Sequence, residues 1–241
     1  MRRTLLGRVR RRVHGMVDKP LRRALSPRAV YLLRQALDPI SPMVGNDRGT
    51  PIDRRFIEGF IEKNAHLVQG RVLEVKDRAY TERFGGARVT TSDVVDVIEN
   101  PQANIRADIR DLAPIADDTY DCLIVTQVLQ YVDDLDAAIA SMKRVLKPGG
   151  SMLVTVPTMG KLDGQDDDVV GHYWRLSRDS ARWLFSKHFA AEDLEIEAWG
   201  NVLLGLGFWI GLAEEELPRR AFERFDPSYA CGVMIRATKP A

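Results

Sequence analysis

The chain has 241 residues, enough for one domain with a sizeable core and appendages. Hydrophobic residues make up 45% and charged residues 29%, the balance of a soluble globular protein. No apolar run reaches about 18 residues, which excludes a transmembrane helix. Cys122 and Cys231 are two isolated thiols, which excludes a disulfide framework and a zinc pattern and makes a reducing cytoplasm the simplest setting. The four histidines (His14, His66, His172, His188) have no ligand spacing, so no metal is expected.

The net charge of +1 hides an asymmetry. Residues 1–34 carry 11 Lys/Arg and one acid, Asp18, while the rest carries 24 basic and 33 acidic residues. Within that arm Leu5, Leu6, Val9, Val13, Met16 and Val17 recur at helical spacing between arginines, which predicts a basic amphipathic helix. Such an arm attaches to an anionic membrane or partner through residues 1–23, packs on the body, stays a frayed solvated arm, or acts as an organelle transit peptide. The sequence leaves these open. No nucleic-acid-binding motif accompanies the charge, so nucleic acid is not an expected partner.

Pro20 ends the first helix, and residues 28–37 read as a second. Residues 38–51 contain three prolines and two glycines and read as a linker. A helix over 52–67 follows, with Phe56, Ile57, Phe60 and Ile61 as its apolar stripe. Val72, Leu73 and Val75 predict a buried strand, with Glu74 inside it, where a carboxylate needs a partner. A second strand is expected at 89–91, after a short helical turn. Asp93 then lies just past that strand, where α/β sheets bind ligands. Further strands are expected at 103–107, 122–126 and 152–156. A helix over 135–146 precedes the last of these, stopped by Lys147-Pro148-Gly149-Gly150.

Strands alternating with helices in this way predict βαβ units and a parallel sheet. Residues 158–172 read as a long polar loop containing Asp166-Asp167-Asp168. Ser177 is a good N-cap for a helix over 178–187. A strand at 194–198, a mostly helical segment over 201–224 and a strand at 229–237 complete the chain.

Five signals make residues 52–239 similar to the class I S-adenosylmethionine-dependent methyltransferases of the type 11-like kind. They are Gly70-Arg71-Val72-Leu73-Glu74-Val75, Asp93, Ala107-Asp108, Tyr120-Asp121-Cys122-Leu123-Ile124, and Arg144-Val145-Leu146 running into Lys147-Pro148-Gly149-Gly150. The chain also resembles a bacterial subgroup associated with glycan or natural-product pathways, through Tyr80-Thr81-Glu82-Arg83-Phe84-Gly85 and Tyr173-Trp174-Arg175. It departs from the family in one place. The loop Lys76-Asp77-Arg78-Ala79-Tyr80 holds no glycine, and Lys76 stands where the subgroup keeps one.

The resemblance implies an α/β fold: a doubly wound, seven-stranded, mostly parallel Rossmann-like sheet with a helical N-terminal extension. The domains are then a basic extension (1–37), a linker (38–51) and a methyltransferase-like domain (52–241) with a helical insertion at 201–226. The implied cofactor is S-adenosylmethionine. Glu74 would hold the loop or the cofactor's ammonium, with Lys76 and Asp77 beside it, unless it only satisfies loop N–H groups. Asp93 would accept the ribose hydroxyls or serve as a turn acid. Asp108 would take the adenine amino group with the Ile109 N–H at a ring nitrogen, or be one aspartate among many. Thr126 and Gln127 would line the methionine end or form an ordinary turn.

His172 is the candidate base for a hydroxyl acceptor, or else a structural histidine. Tyr173, Trp174 and Arg175 would line the acceptor site, unless Trp174 is core and Arg175 an ion-pair partner. The insertion, with Leu203, Leu204, Leu206, Phe208, Trp209, Ile210 and Leu212, is apolar nearly all round. It is therefore expected to be buried, as a lid over the acceptor pocket or in a homodimer interface.

The expected function is methyl transfer to a hydroxyl of a small molecule or glycan, in the cytoplasm or at a membrane periphery. The alternative is a catalytically inactive binding or scaffold protein. A nicotinamide-dependent enzyme would need a Gly-x-Gly-x-x-Gly fingerprint that the chain lacks.

Overall fold

The first strand, β1 (Gly70–Val75), lies between β2 (Val89–Asp96) and β4 (Tyr120–Thr126), parallel to both. Outside them lie β3 (Ile105–Arg106) on one side and β5 (Leu146–Pro157) on the other, again parallel. Then β7 (Gly232–Thr238) pairs antiparallel with β5, and β6 (Leu194–Trp199) closes the edge, antiparallel to β7. The seven strands therefore run β3-β2-β1-β4-β5-β7-β6. This is a computed structural model, and it describes residues 38–162 and 171–241. The chain divides into units 1–40 and 41–241, and every strand and helix below belongs to the second. The basic arm expected over 1–37 and the Asp166–Asp168 run lie outside the described residues.

Side chains alternate across the sheet, as a strand's period of two requires. Leu73, Leu123 and Val125 face a core shared with α2 (Leu135–Val145) and α3 (Arg178–Phe185). Val72, Cys122 and Ile124 face the other core, shared with α1 (Ile52–Lys63) and α4 (Val202–Ile210). Both faces are thus covered, which explains why the central strands read as continuous apolar runs. Ser177 caps α3 as expected: its hydroxyl accepts from Ser180 N at 3.1 Å, and the Ser180 hydroxyl accepts from Ser177 N at 2.9 Å. The stop at 147–150 also holds, with α2 ending at Val145 and Gly149 at φ +79°.

Four expectations need correction. The second strand does not end at 91 but continues to Asp96, because Val94 and Val95 pair with Glu74 and Val75. Asp93 is therefore inside the strand, opposite Leu73.

Residues 41–51 are not a loose linker. Ser41 N donates to Ile210 O at 3.2 Å, and Pro51 bridges to Ala213. The insertion is also less helical than expected. Gly211, in the left-handed region at φ +75°, ends α4, and only short 3-10 turns follow around Pro218. Nor is α4 buried all round: Leu204, Gly205 and Gly207 are buried, while Leu203, Leu206 and Trp209 are exposed.

Candidate active site

Strand order reverses between β1 and β4, so their carboxyl ends open a crevice, the usual ligand position in a doubly wound sheet. The chain leaves β1 at Lys76, whose backbone lies in the left-handed region at φ +77°. Lys76 N still donates to Val95 O at 3.0 Å, and Lys76 O accepts from Asn100 Nδ2 at 2.6 Å. Two hydrogen bonds therefore hold a conformation that lysine disfavours. Asp77 turns the next residues by accepting from Ala79 N at 3.0 Å.

Glu74 is buried and anchors the loop from beneath. Its Oε1 accepts from Tyr80 N at 3.1 Å, and its Oε2 accepts from Thr81 N at 2.8 Å and from the Thr81 hydroxyl at 2.7 Å. Burial pushes its carboxyl up to about 7, against the downward pull of those three bonds. Arg54 of α1 donates to the Tyr80 hydroxyl, so the far end of the loop is held as well.

At the second strand two carboxylates divide the work. Asp93 is buried and fully engaged: Oδ1 accepts from Asn104 Nδ2 at 2.7 Å, and Oδ2 accepts from Arg71 Nε at 2.8 Å and from the Tyr120 hydroxyl at 3.0 Å. Burial raises its pKa, but the donors Asn104, Arg71 and Tyr120 outweigh that and hold it below the usual carboxylate range. Mid-strand and enclosed, with both oxygens engaged, Asp93 does not stand at the carboxyl edge where the expected ribose role would put it. The acid at the carboxyl end of β2 is Asp96, half-buried, accepting from Asn100 Nδ2 at 2.8 Å and Ile98 N at 3.3 Å. Sequence reasoning missed Asp96 because it ended the strand too early.

Asp108 follows β3 and is held by Arg110, whose Nη2 and Nε lie 2.6 and 3.0 Å from its carboxylate. That guanidinium keeps the Asp108 carboxyl below its ordinary value. Ile109 beside it is buried.

At the end of β4, Thr126 is followed by Gln127 at φ +54°, whose N donates to Thr155 O at 2.9 Å. Gln130 then links this turn to the segment expected to hold the acceptor. Its Nε2 donates to Gln127 O at 2.9 Å, and its carbonyl accepts from Tyr173 N at 2.8 Å. Gln130 is 4% exposed, and its Oε1 has no partner among the described residues. No pattern in the sequence marks it.

His172 is half-buried and meets the Tyr131 ring edge-on, 4.5 Å between centroids. Its Nδ1 lies 3.4 Å from Arg175 Nη2. Trp174 is 41% exposed rather than core, and its Nε1 donates to Val132 O at 2.8 Å. Arg175 binds the carbonyls of Trp174 and Lys161. Both side chains line a groove of about 660 Å³ between the start of α2 and α3, together with Asp133, Ser180, Trp183 and Lys187. Tyr173 is exposed. The structure therefore gathers Glu74, Lys76, Asp77, Asp96, Thr126 and Gln127 at the carboxyl edge of the three central strands. It hangs 172–175 beside them through Gln130.

Residues 76–154, from the loop after β1 to β5, match the profile of a methyltransferase domain family. Among relatives, the chain is 36% identical over 85 residues to the ubiquinone/menaquinone biosynthesis C-methyltransferase UbiE of Klebsiella pneumoniae, covering 35% of this chain and 32% of that one. It is 33% identical over 121 residues to the UbiE of Marinomonas sp., covering 42% and 46%. The chain thus spans between about a third and just under half of the length of these relatives. Among solved structures, a SAM-dependent methyltransferase from Archaeoglobus fulgidus superposes with a TM-score of 0.52 at 14% identity, covering 77% of this chain and 94% of that one. The [4+2]-cyclase SpnF gives 0.51 at 16% identity, covering 80% and 84%. Residues 41–241 have the fold of the class I S-adenosylmethionine-dependent methyltransferases, and residues 76–154 within it match their methyltransferase domain.

Proposed function

We propose that the protein transfers a methyl group from S-adenosylmethionine to a nucleophilic acceptor, a hydroxyl of a small molecule or glycan, at the crevice between β1 and β4. The loop after β1 carries this reading. Lys76 keeps the left-handed backbone of a glycine turn, and Glu74 holds the N–H groups of Tyr80 and Thr81, so the cradle persists without its glycine.

The residues present fit the cofactor on two further counts. The Asp96 carboxylate stands at the carboxyl end of β2, where it can accept from both hydroxyls of a ribose. Gln130 offers a buried acceptor with no partner among the described residues, next to Gln127.

Bound there, the cofactor supplies an electrophilic methyl group on a sulfonium. The chain supplies orientation and a proton acceptor. Glu74, Lys76 and Asp77 shape the loop, Asp96 takes the ribose, and Thr126 and Gln127 line the amino-acid end. Asp108 and Ile109 remain the candidates for the adenine. His172, set against the Tyr131 ring, takes the acceptor's proton on its imidazole, with Tyr173, Trp174 and Arg175 flanking the acceptor.

The relatives' names favour a second reading, in which the acceptor atom is carbon. A carbon acid also loses a proton, so the part played by His172 is the same. With a 13C-labelled methyl donor, the NMR shift of the transferred methyl separates oxygen from carbon products. Titration calorimetry with S-adenosylhomocysteine tests the common core. Binding is expected; no heat at high ligand concentration would overturn the enzyme reading in favour of a non-catalytic binding or scaffold protein.

A further inference from the structure

We propose that the exposed side of α4 is a docking surface for an anionic lipid bilayer. This helix, Val-Leu-Leu-Gly-Leu-Gly-Phe-Trp-Ile, has no charged residue. It turns Leu204, Gly205 and Gly207 inward and leaves Val202 47%, Leu203 43%, Leu206 47% and Trp209 53% exposed. At 100° per residue these four share an arc of about 120°, one apolar face of the helix. The patch continues beyond both ends. Asn201 Nδ2 binds the carbonyls of Ala221 and Arg224 at 2.8 and 2.7 Å, which sets exposed Phe225 beside the first turn. The Ser41–Ile210 hydrogen bond sets exposed Met43 beside the last.

Size and charge choose the occupant. Nine residues of helix are about 14 Å long, and a face about 10 Å wide offers on the order of 150 Å². A stable protein partner needs about 800 Å² on each side, so a second copy of the chain is poorly served. An interfacial helix needs one apolar face and little more, and tryptophan is favoured at the headgroup boundary. Stable peripheral attachment takes a second signal as well, and residues 1–34, with 11 Lys/Arg and one acid, supply a polybasic one suited to anionic headgroups.

One loop links the helix to the acceptor segment. A Cβ on Gly160, in the loop after β5, would come within 2.7 Å of the Phe208 ring, and in the same loop the Thr158 hydroxyl binds Leu176 O at 2.7 Å. If the methyl-transfer reading holds, the acceptor class is an amphiphile borne in the membrane. The docking itself does not depend on that reading.

Flotation of the 241-residue chain with phosphatidylcholine vesicles, with and without phosphatidylglycerol, tests it. The wild type should float with the anionic vesicles and remain bound in part at high salt. Leu206→Glu/Trp209→Glu should bind at least about tenfold more weakly, with an unchanged melting temperature because both side chains are exposed. Quenching of tryptophan emission by brominated lipid should largely disappear in Trp209→Phe, which keeps the fold. Equal flotation of the double variant, or unchanged quenching in Trp209→Phe, overturns the proposal. So does a double variant that turns a dimer into a monomer by light scattering while flotation is unchanged, since that assigns the face to a second copy. S-adenosylhomocysteine titration of the same samples separates loss of docking from failure of the cofactor reading.

Discussion

Lys76 is the residue on which the cradle's shape is most directly tested. Its φ of +77° lies where a Cβ is crowded by the following carbonyl, at about 1 kcal/mol for any side chain other than glycine. Removing the Cβ releases that strain, while glycine's extra freedom in the unfolded chain costs about 0.5–1 kcal/mol. Both hydrogen bonds at this residue are made by its backbone and survive either substitution. Lys76→Gly should therefore match or exceed both the wild type and Lys76→Ala, by up to about 0.5 kcal/mol. That order is the reverse of the usual one. Gly59 supplies the control: it lies within α1, and an added Cβ would meet nothing within 4 Å. Gly59→Ala should gain about 1 kcal/mol. Urea unfolding midpoints of the four proteins measure both comparisons. If Lys76→Ala proves more stable than Lys76→Gly while Gly59→Ala behaves as stated, the turn is not left-handed and the cradle argument fails.

Glu74 makes stability depend on pH. Its folded pKa of about 7 lies above its ordinary value of 4.5, so the folded state holds the extra proton between those values. The associated stability is fully present below about pH 4.5 and is lost as pH rises through 7, a difference of about 3 kcal/mol. Glu74→Gln should remove that slope, and urea midpoints from pH 5 to 8 should show the wild type falling relative to the variant; a constant difference would count against it. The two carboxylates of β2 should separate by readout. Asp93→Asn strips the charge from a buried site with three donors and should cost about 2 kcal/mol of stability. Asp96→Asn should leave the melting temperature nearly unchanged and weaken S-adenosylhomocysteine at least about tenfold by calorimetry. The reverse pattern would return the ribose role to Asp93.

What the sequence made legible was local. Val72, Leu73 and Val75 read as a strand because both faces of the sheet are covered, and Ser177 read as a cap because a serine directly precedes the helix it starts. What it hid depends on partners far along the chain. Asp93 and Asp96 look alike in sequence, and the difference between them is made by Arg71 of β1 and Tyr120 of β4, 22 and 27 residues away. In α4 every position is apolar or glycine, so no periodicity could say which side packs inward. Leu204 shares one core with Ile52 and Ile57 of α1, and that decides it. Gln130 gave no signal because its importance lies in one carbonyl and one amide joining the end of β4 to the acceptor segment.

The missing glycine is the instructive case. Read as a motif, Lys76 suggests a lost turn. The turn is nevertheless present, because Val95 and Asn100 hold the backbone at that residue from both sides. Glycine at such a position lowers the cost of a conformation without being what imposes it. Where neighbouring strands already impose the angle, a side chain can return at about 1 kcal/mol, and the shape of the site outlasts its sequence signature.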